Sequence, residues 1–316
     1  MRIDLLLPAA LAFIMFSVGL ALRAEDFHRV FRTPRALLVG LCGQLVMVPL
    51  AALAVVLVFE LPPVLGLGLM ILAACPGGAS SGFLTHVARG NAALSLTLTV
   101  ISSLAALATF PLLVKLVLGW LGEGAFGSGV SAEGGADVIH LTELPVGRLI
   151  GSVLVVTTLP ILAGMAMRHK APGFTARTEP LIGRLATLFF AAIVVATFVS
   201  HQHTILANLL SIGPATMALN FAVMGAAYAL VMLAGAGGRD AVAVAMECGL
   251  QNAGLAIFVA IVLLRQPELA VAAVVYALTM NFGALGLVFI ARWQVARTAG
   301  LGPSRRADST ASVKLP

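Results

Sequence analysis

Nine stretches of the chain are apolar almost without interruption: 5–22, 36–59, 64–88, 91–119, 146–168, 181–200, 212–234, 240–264 and 268–293. Most reach or approach the roughly 20 residues that a helix needs to cross a bilayer core, and none shows the alternation of a barrel strand. The pattern predicts an all-α integral membrane protein, with nine transmembrane helices over residues 1–298. Residues 299–316 are polar, include Pro303 and Ser304, and read as a disordered tail. The first stretch has some features of a signal peptide. Asp4 spoils its basic segment, however, and no clean small-residue cleavage pattern follows, so it is read as a span.

Composition agrees: 60% of residues are hydrophobic and 10% charged, against about a quarter charged in soluble domains. The net charge of +6 comes from bases between the spans and is no nucleic-acid footprint. Arg23, Arg29, Arg32 and Arg35 mark the loop after the first span as cytoplasmic. Alternation then puts Arg89, Lys170, Arg177, Arg239, Arg297, Arg305, Arg306 and Lys314 inside as well. Of 19 bases only Arg2, Lys115, Arg148 and Arg265 fall at the outer side. The reading is a multi-pass inner (plasma) membrane protein, N-terminus outside and C-terminus cytoplasmic. Loop 120–145, rich in Gly and Ser and without a base, is an external connection, as is 201–211; 169–180 is an internal one. Cys42, Cys75 and Cys248 lie in apolar runs with no metal-site spacing.

Glu247 alone among the 13 carboxylates lies well within a span, in "MECGLQNAGLA". A charge there costs at least ~2.5–3.5 kcal/mol, so such acids face a cavity or a partner and mark function. Gly249 and Gly254 bracket Gln251 and Asn252, and glycine weakens a helix interior by ~1 kcal/mol. An unwound turn there would expose carbonyls beside amide oxygens, hard donors suited to Na⁺. A second break is predicted at "CPGGASSG": Pro76 blocks the helix before it, Gly77 and Gly78 loosen the turn, and Ser80, Ser81 and Thr85 add hydroxyls. In the next span Ser95 and Thr99 share a face, and Thr97 does not. Laid side by side without a gap, the breaks match Cys75 with Glu247, Gly77 with Gly249 and Gly82 with Gly254. The charge count makes the two spans antiparallel. This is the pattern of an inverted-repeat carrier with two broken, crossing helices.

At these residues the chain resembles the bile acid:sodium symporter family. "CPGGASSGFLTHVARGNAALSLTLT" and "ECGLQNAGLA" are similar to its two signature segments, and "IMFSVGLALRAEDFHRVFRTPR" to the connection after an early span. The likeness extends over about residues 10–293. It implies a core domain plus a panel domain, and, since bacterial relatives have ten spans, an expected correspondence of this chain's first span with their second. It implies two Na⁺ sites. One would use Ser81, Ser95, Thr99 and Glu247 with residue 82, commonly Asn in the family but Gly82 here. The other would use Gln44, Glu247 and Gln251 with carbonyls near Cys248 and Leu250. One or two Na⁺ would then travel with a small organic anion, such as a bile acid-like, pantoate-like or 2-oxo acid. Substrate contacts are expected at Ala79, Ser80, Asn252 and Asn281. Half-helix N-termini after the breaks would favour an anion.

Two other carriers share these features. Glu247 could carry a proton in place of Na⁺, given Gly82. Cys75 paired with Glu247 suggests an arsenite efflux carrier. An enzyme is the reading from another class, on His201, Gln202 and His203, but their i,i+2 spacing is not the i,i+4 pairing of zinc hydrolases. The chain is therefore read as a symporter, not an enzyme, whose partners are the bilayer and an organic anion. Neither nucleic acid nor an obligate protein partner is implied.

Overall fold

A computed structural model describes residues 3–22, 25, 34–125 and 146–298, and every regular element among them is helical. In chain order these are α1 (Ile3–Ala21), α2 (Pro34–Val58), α3 (Pro63–Ala74), α4 (Ser80–Val87) and α5 (Ala92–Ala125). There follow α6 (146–170), α7 (Pro172–Ser200), α8 (Gln202–Leu233), α9 (Gly238–Gly249), α10 (Ala253–Leu263) and α11 (Ala270–Thr298). Six of them, α2, α5, α6, α7, α8 and α11, are long and apolar enough to cross a membrane. α1 and the segments on either side of each break are shorter. The predicted tail 299–316, residues 126–145 of the predicted loop and most of the 23–33 connection lie outside the described residues.

Three helices open on a proline, Pro34, Pro63 and Pro172. There the missing N–H is no loss and the fixed φ suits the first turn. Several boundaries differ from the hydropathy pattern. The segment 169–180, expected to be a connection, is helical apart from Ala171; 201–211 is helical from Gln202 onward, with His201 as the turn. α5 likewise runs on to Ala125, past the apolar run. Hydropathy marks where a helix is apolar, not where its hydrogen bonds stop, so polar extensions such as "GFTARTEP" escaped it.

The distribution of polarity is inverted relative to a water-soluble fold. Every residue from 241 to 260 is buried, as are 65–78 and 269–277, so the two broken segments and the start of α11 form the centre. That centre holds Gln44, Glu247 and Gln251, whereas Leu210 and Leu233 stand outward at 90% and 84% exposure. Small residues bring helices together. A Cβ on Gly19 of α1 would overlap the Ile161 carbonyl of α6, and one on Gly164 of α6 would overlap the Phe16 carbonyl of α1. α1, α6 and α7 pack on one another, while α2–α5 and α8–α11 enclose the two breaks.

Gly164→Val should therefore lower the melting temperature in detergent, by the equivalent of about 1–3 kcal/mol of overpacking. Gly225→Ala, where an added Cβ meets nothing within 4 Å, should be neutral or stabilising by up to ~1 kcal/mol. Thermal unfolding of the two variants checks this contrast.

Candidate functional site

The two predicted breaks are present and lie against each other. α3 stops at Ala74, where Cys75 turns extended (φ −73°, ψ 153°) ahead of Pro76. α9 stops at Gly249, and Leu250 leaves the helical region (φ −103°, ψ 86°). Between the helices the two chains pair antiparallel at Gly77 and Gln251. The Gly78 N–H donates to the Leu250 carbonyl, and the Asn252 N–H to the Pro76 carbonyl at 3.0 Å. A broken helix strands backbone groups that lipid cannot satisfy, and here each break satisfies part of the other. Glycine is required for so close an approach. A Cβ on Gly77 would fall on the Glu247 carboxylate, and one on Gly78 would come within 2.9 Å of the Leu250 and Gln251 carbonyl oxygens.

Glu247, in the last turn of α9, is fully buried. Ser81 of α4 donates to its Oε2 at 2.6 Å, and Ser95 of α5 to the same oxygen at 3.0 Å. Thr99 donates to Oε1 at 2.8 Å. Ser95 and Ser81 hydroxyls are 3.1 Å apart. Two carboxylate and three hydroxyl oxygens from three helices thus meet in one dry cluster, all hard donors. Among the described residues, no Lys, Arg or His forms an ion pair with Glu247. Thr97 instead bonds the Ala93 carbonyl of its own helix.

On the other side of the break stands a pair of amides. Gln44 donates to Gln251 Oε1 at 2.9 Å and to the Cys75 carbonyl at 3.0 Å. Gln251 donates to the Cys248 carbonyl at 2.7 Å. Gln44 sits in a π-helical turn, Gly43–Met47, which interrupts the regular ladder of α2; such turns recur at functional sites. Gly43 lets α2 approach, since its Cβ would lie 3.1 Å from the Cys248 sulfur. The Cys75 carbonyl was not expected in this group; a thiol in an apolar run gives no sign of what its backbone offers.

At residue 82 the finding is sharper than a missing ligand. A Cβ on Gly82 would lie 2.6 Å from Leu96 Cδ2 and 2.9 Å from Leu96 Cγ. The volume a larger side chain would occupy is filled by a leucine of α5. Asn252 caps α10, its Oδ1 accepting from the Leu255 N–H at 3.0 Å, and its amide meets the Met15 sulfur. Ala79 and Ser80 are half-buried at the start of α4. Asn281 is not brought to the crossing by any hydrogen bond; it is exposed and donates to the Ala277 carbonyl one turn back.

Two residues behind the break went unnoticed in the sequence. Tyr276 of α11 donates to the Gly249 carbonyl at 2.9 Å, and Asn220 of α8 to the same oxygen at 2.8 Å. Gly249 itself is packed against Met224 and the Asn220 amide, with no room for a Cβ. The carbonyl that the end of α9 leaves without a helical partner is thereby held from outside. A lone amide and a tyrosine in apolar runs carry no pattern that would reveal this.

The sequence profile of the Sodium Bile acid symporter family matches residues 8–208. The rice protein named probable sodium/metabolite cotransporter BASS2, chloroplastic, is 30% identical over 285 residues, 89% of this chain and 62% of that protein. The Bacillus subtilis protein named uncharacterized sodium-dependent transporter YocS is 29% identical over 250 residues, 78% of this chain and 70% of its own length. An Arabidopsis thaliana probable sodium/metabolite cotransporter, BASS1, is 26% identical over 285 residues, 90% of this chain and 65% of that protein. The chain thus spans less than two thirds of these plant relatives.

Tyr276→Phe removes one of the two donors on the Gly249 carbonyl and should cost about 1–2 kcal/mol of stability. Combined with Asn220→Ala, the loss should exceed the sum of the single effects, because the carbonyl is then left with neither donor. Thermal unfolding of the single and double variants measures it.

Proposed function

The chain belongs to the Sodium Bile acid symporter family, and on that premise we propose that it is a sodium-coupled symporter importing a small organic anion by alternating access. It is a multi-pass membrane protein with helices long and apolar enough to cross the bilayer. On our reading it crosses nine times, with α3–α4 and α9–α10 each making one interrupted crossing in an inverted-repeat arrangement. It lies in the plasma membrane, N-terminus outside. The three relatives described above all carry sodium in their names, two as probable sodium/metabolite cotransporters and one as a sodium-dependent transporter.

One observation carries the sodium reading. Glu247 is a fully buried carboxylate that meets three hydroxyls and, among the described residues, no basic side chain. A buried charge without a counter-charge is costly, and a bound cation removes that cost. Sodium accepts carboxylate, hydroxyl, amide and carbonyl oxygens alike. Each hydroxyl that now donates to Glu247 keeps lone pairs that a cation between them can use. The amide pair of Gln44 and Gln251, with the carbonyls of Cys75, Cys248 and Leu250, offers a second set. That set would admit an ion if the two amides rotated apart to present their oxygens.

The two candidate sites are unequal. Leu96 fills the space beside Gly82, so the hydroxyl site has an apolar wall where a further oxygen donor would stand. We assign the principal sodium to Glu247 with whichever oxygens complete it, and expect weak or single-ion coupling at the hydroxyl side. Substrate would meet the opening of the crossing near Ala79, Ser80 and Asn252. Its negative charge would be balanced by sodium rather than by a lysine or arginine.

In proteoliposomes, uptake of organic anions should require an inward sodium gradient and persist when a pH gradient is collapsed. Uptake driven by a proton gradient in sodium-free buffer would point to proton coupling instead. Glu247→Gln should abolish uptake, because the neutral amide loses the charge that holds the ion. Gly82→Asn alone should cost only about 1 kcal/mol of stability, because the half-buried Leu96 side chain that it meets can change rotamer. Paired with Leu96→Ala it should steepen the dependence of uptake on sodium concentration, and an unchanged Hill coefficient in the double variant contradicts the assignment.

A further inference from the structure

Polar residues lead away from Glu247 along three helices toward one end of the bundle. At the start of α5, Asn91, Ser95 and Thr99 recur every four residues and stack on one face. On α4, Ser81 and Thr85 do the same. On α9, Asp240 and Glu247 are seven apart, two turns along a common face. The inner end of this seam is the cluster in which Ser81, Ser95 and Thr99 bond Glu247. Its outer end is a second contact: the Asn91 amide donates to the Asp240 carboxylate at 2.8 Å, and the Asn91 N–H to the Arg239 carbonyl at 3.0 Å. Asn91 and Asp240 are both half-buried. Among the described residues, Asp240 has no ion-pair partner.

Thr85 lies between the two ends. It is fully buried, and its hydroxyl has no hydrogen-bond partner. A threonine in an apolar helix ordinarily returns its hydroxyl to the carbonyl four residues back. Thr97, Thr109, Thr157 and Thr197 all do so here, and Thr85 does not. Its methyl packs at Gly90 beside Val242 of α9, where a Cβ on Gly90 would meet the Thr85 Cγ2 at 2.8 Å and Val242 at 2.9 Å, and its hydroxyl is not part of that contact. A buried hydroxyl left unpaired costs about 1–3 kcal/mol, so one that persists calls for an explanation. Seven residues of helix span about 10 Å, too far for one ion to touch both carboxylates. Thr85, one turn along α4 from Ser81 toward Asn91, stands at an intermediate depth along that distance.

We propose that Thr85 and the Asn91–Asp240 pair form a stepping route for a small hard cation between the Glu247 cluster and the end of the bundle where α9 begins. Asp240 supplies the outer charge that draws the ion, and the Thr85 hydroxyl replaces part of its water midway. The route rests on the sodium reading of Glu247, and the experiment separates failure of one from failure of the other. Sodium-dependent thermal stabilisation of the purified protein reports equilibrium binding. Exchange of radiolabelled sodium across proteoliposomes reports passage. Thr85→Val, which keeps the shape and removes the oxygen, should slow exchange by about tenfold, the scale of one lost polar contact at a barrier. The sodium concentration giving half-maximal stabilisation should stay within about twofold of the unmodified protein. Thr85→Ser should restore exchange. Asp240→Asn, which removes the charge and keeps an oxygen for the Asn91 amide, should raise the sodium concentration needed for half-maximal exchange. Exchange at the normal rate in both Thr85→Val and Asp240→Asn overturns the route. So does a Thr85→Val variant whose equilibrium affinity falls in step with its rate, since Thr85 then supports the Glu247 cluster itself. If the unmodified protein shows no sodium stabilisation, the sodium reading fails first and the route falls with it.

Discussion

The structure depends on two interrupted chains crossing at the centre of the molecule. Once α3 and α9 stop, their freed backbone groups have neither water nor lipid partners to turn to. The crossing supplies some, through Gly78 to Leu250 and Asn252 to Pro76. The surroundings supply others: Asn220 and Tyr276 hold the Gly249 carbonyl, Gln44 the Cys75 carbonyl and Gln251 the Cys248 carbonyl. The remaining chemistry is placed by this arrangement. Glu247 comes to rest against the hydroxyls of α4 and α5 because α9 ends two residues beyond it, and Gly77 leaves its carboxylate the space.

The same constraint explains why the site joins a charge to uncharged donors. Hydroxyls, amides and carbonyls can surround a cation without committing a second fixed charge to the interior. On the proposed reading, an ion held this way would be bound against a modest desolvation cost and would be free to leave when the crossing opened. A lysine or arginine beside Glu247 would satisfy the carboxylate permanently and leave no demand for a bound cation.

Much of this was legible in the sequence, and the reasons are specific. Glu247 stood out because an acid within a long apolar run has few structural explanations. The breaks stood out because Pro76, Gly77, Gly78 and Gly249 change backbone preference locally, whatever the packing. Ser95 and Thr99 share a face as their spacing suggested, and with Ser81 they converge on Glu247, a grouping that only the family resemblance implied. Contacts between helices were not legible. Nothing in the chain says that Leu96 fills the space beside Gly82, or that Asn220 and Tyr276 reach one carbonyl from two helices. Asn281 and Asn220 read alike in the sequence: a lone amide in an apolar helix gives no sign whether it faces its own backbone or a neighbour's. Helix ends were misplaced at Pro172 and Gln202, where polar residues continue a helix that hydropathy had closed.

The central claim is that Glu247 holds sodium at the crossing. Equilibrium binding of radiolabelled sodium to purified protein, with potassium keeping ionic strength constant, tests it most directly. The account predicts saturable binding that potassium does not displace and that Glu247→Gln abolishes while the protein remains folded. Saturable binding that survives in the folded Glu247→Gln variant, or no saturable binding to the unmodified protein, would contradict it.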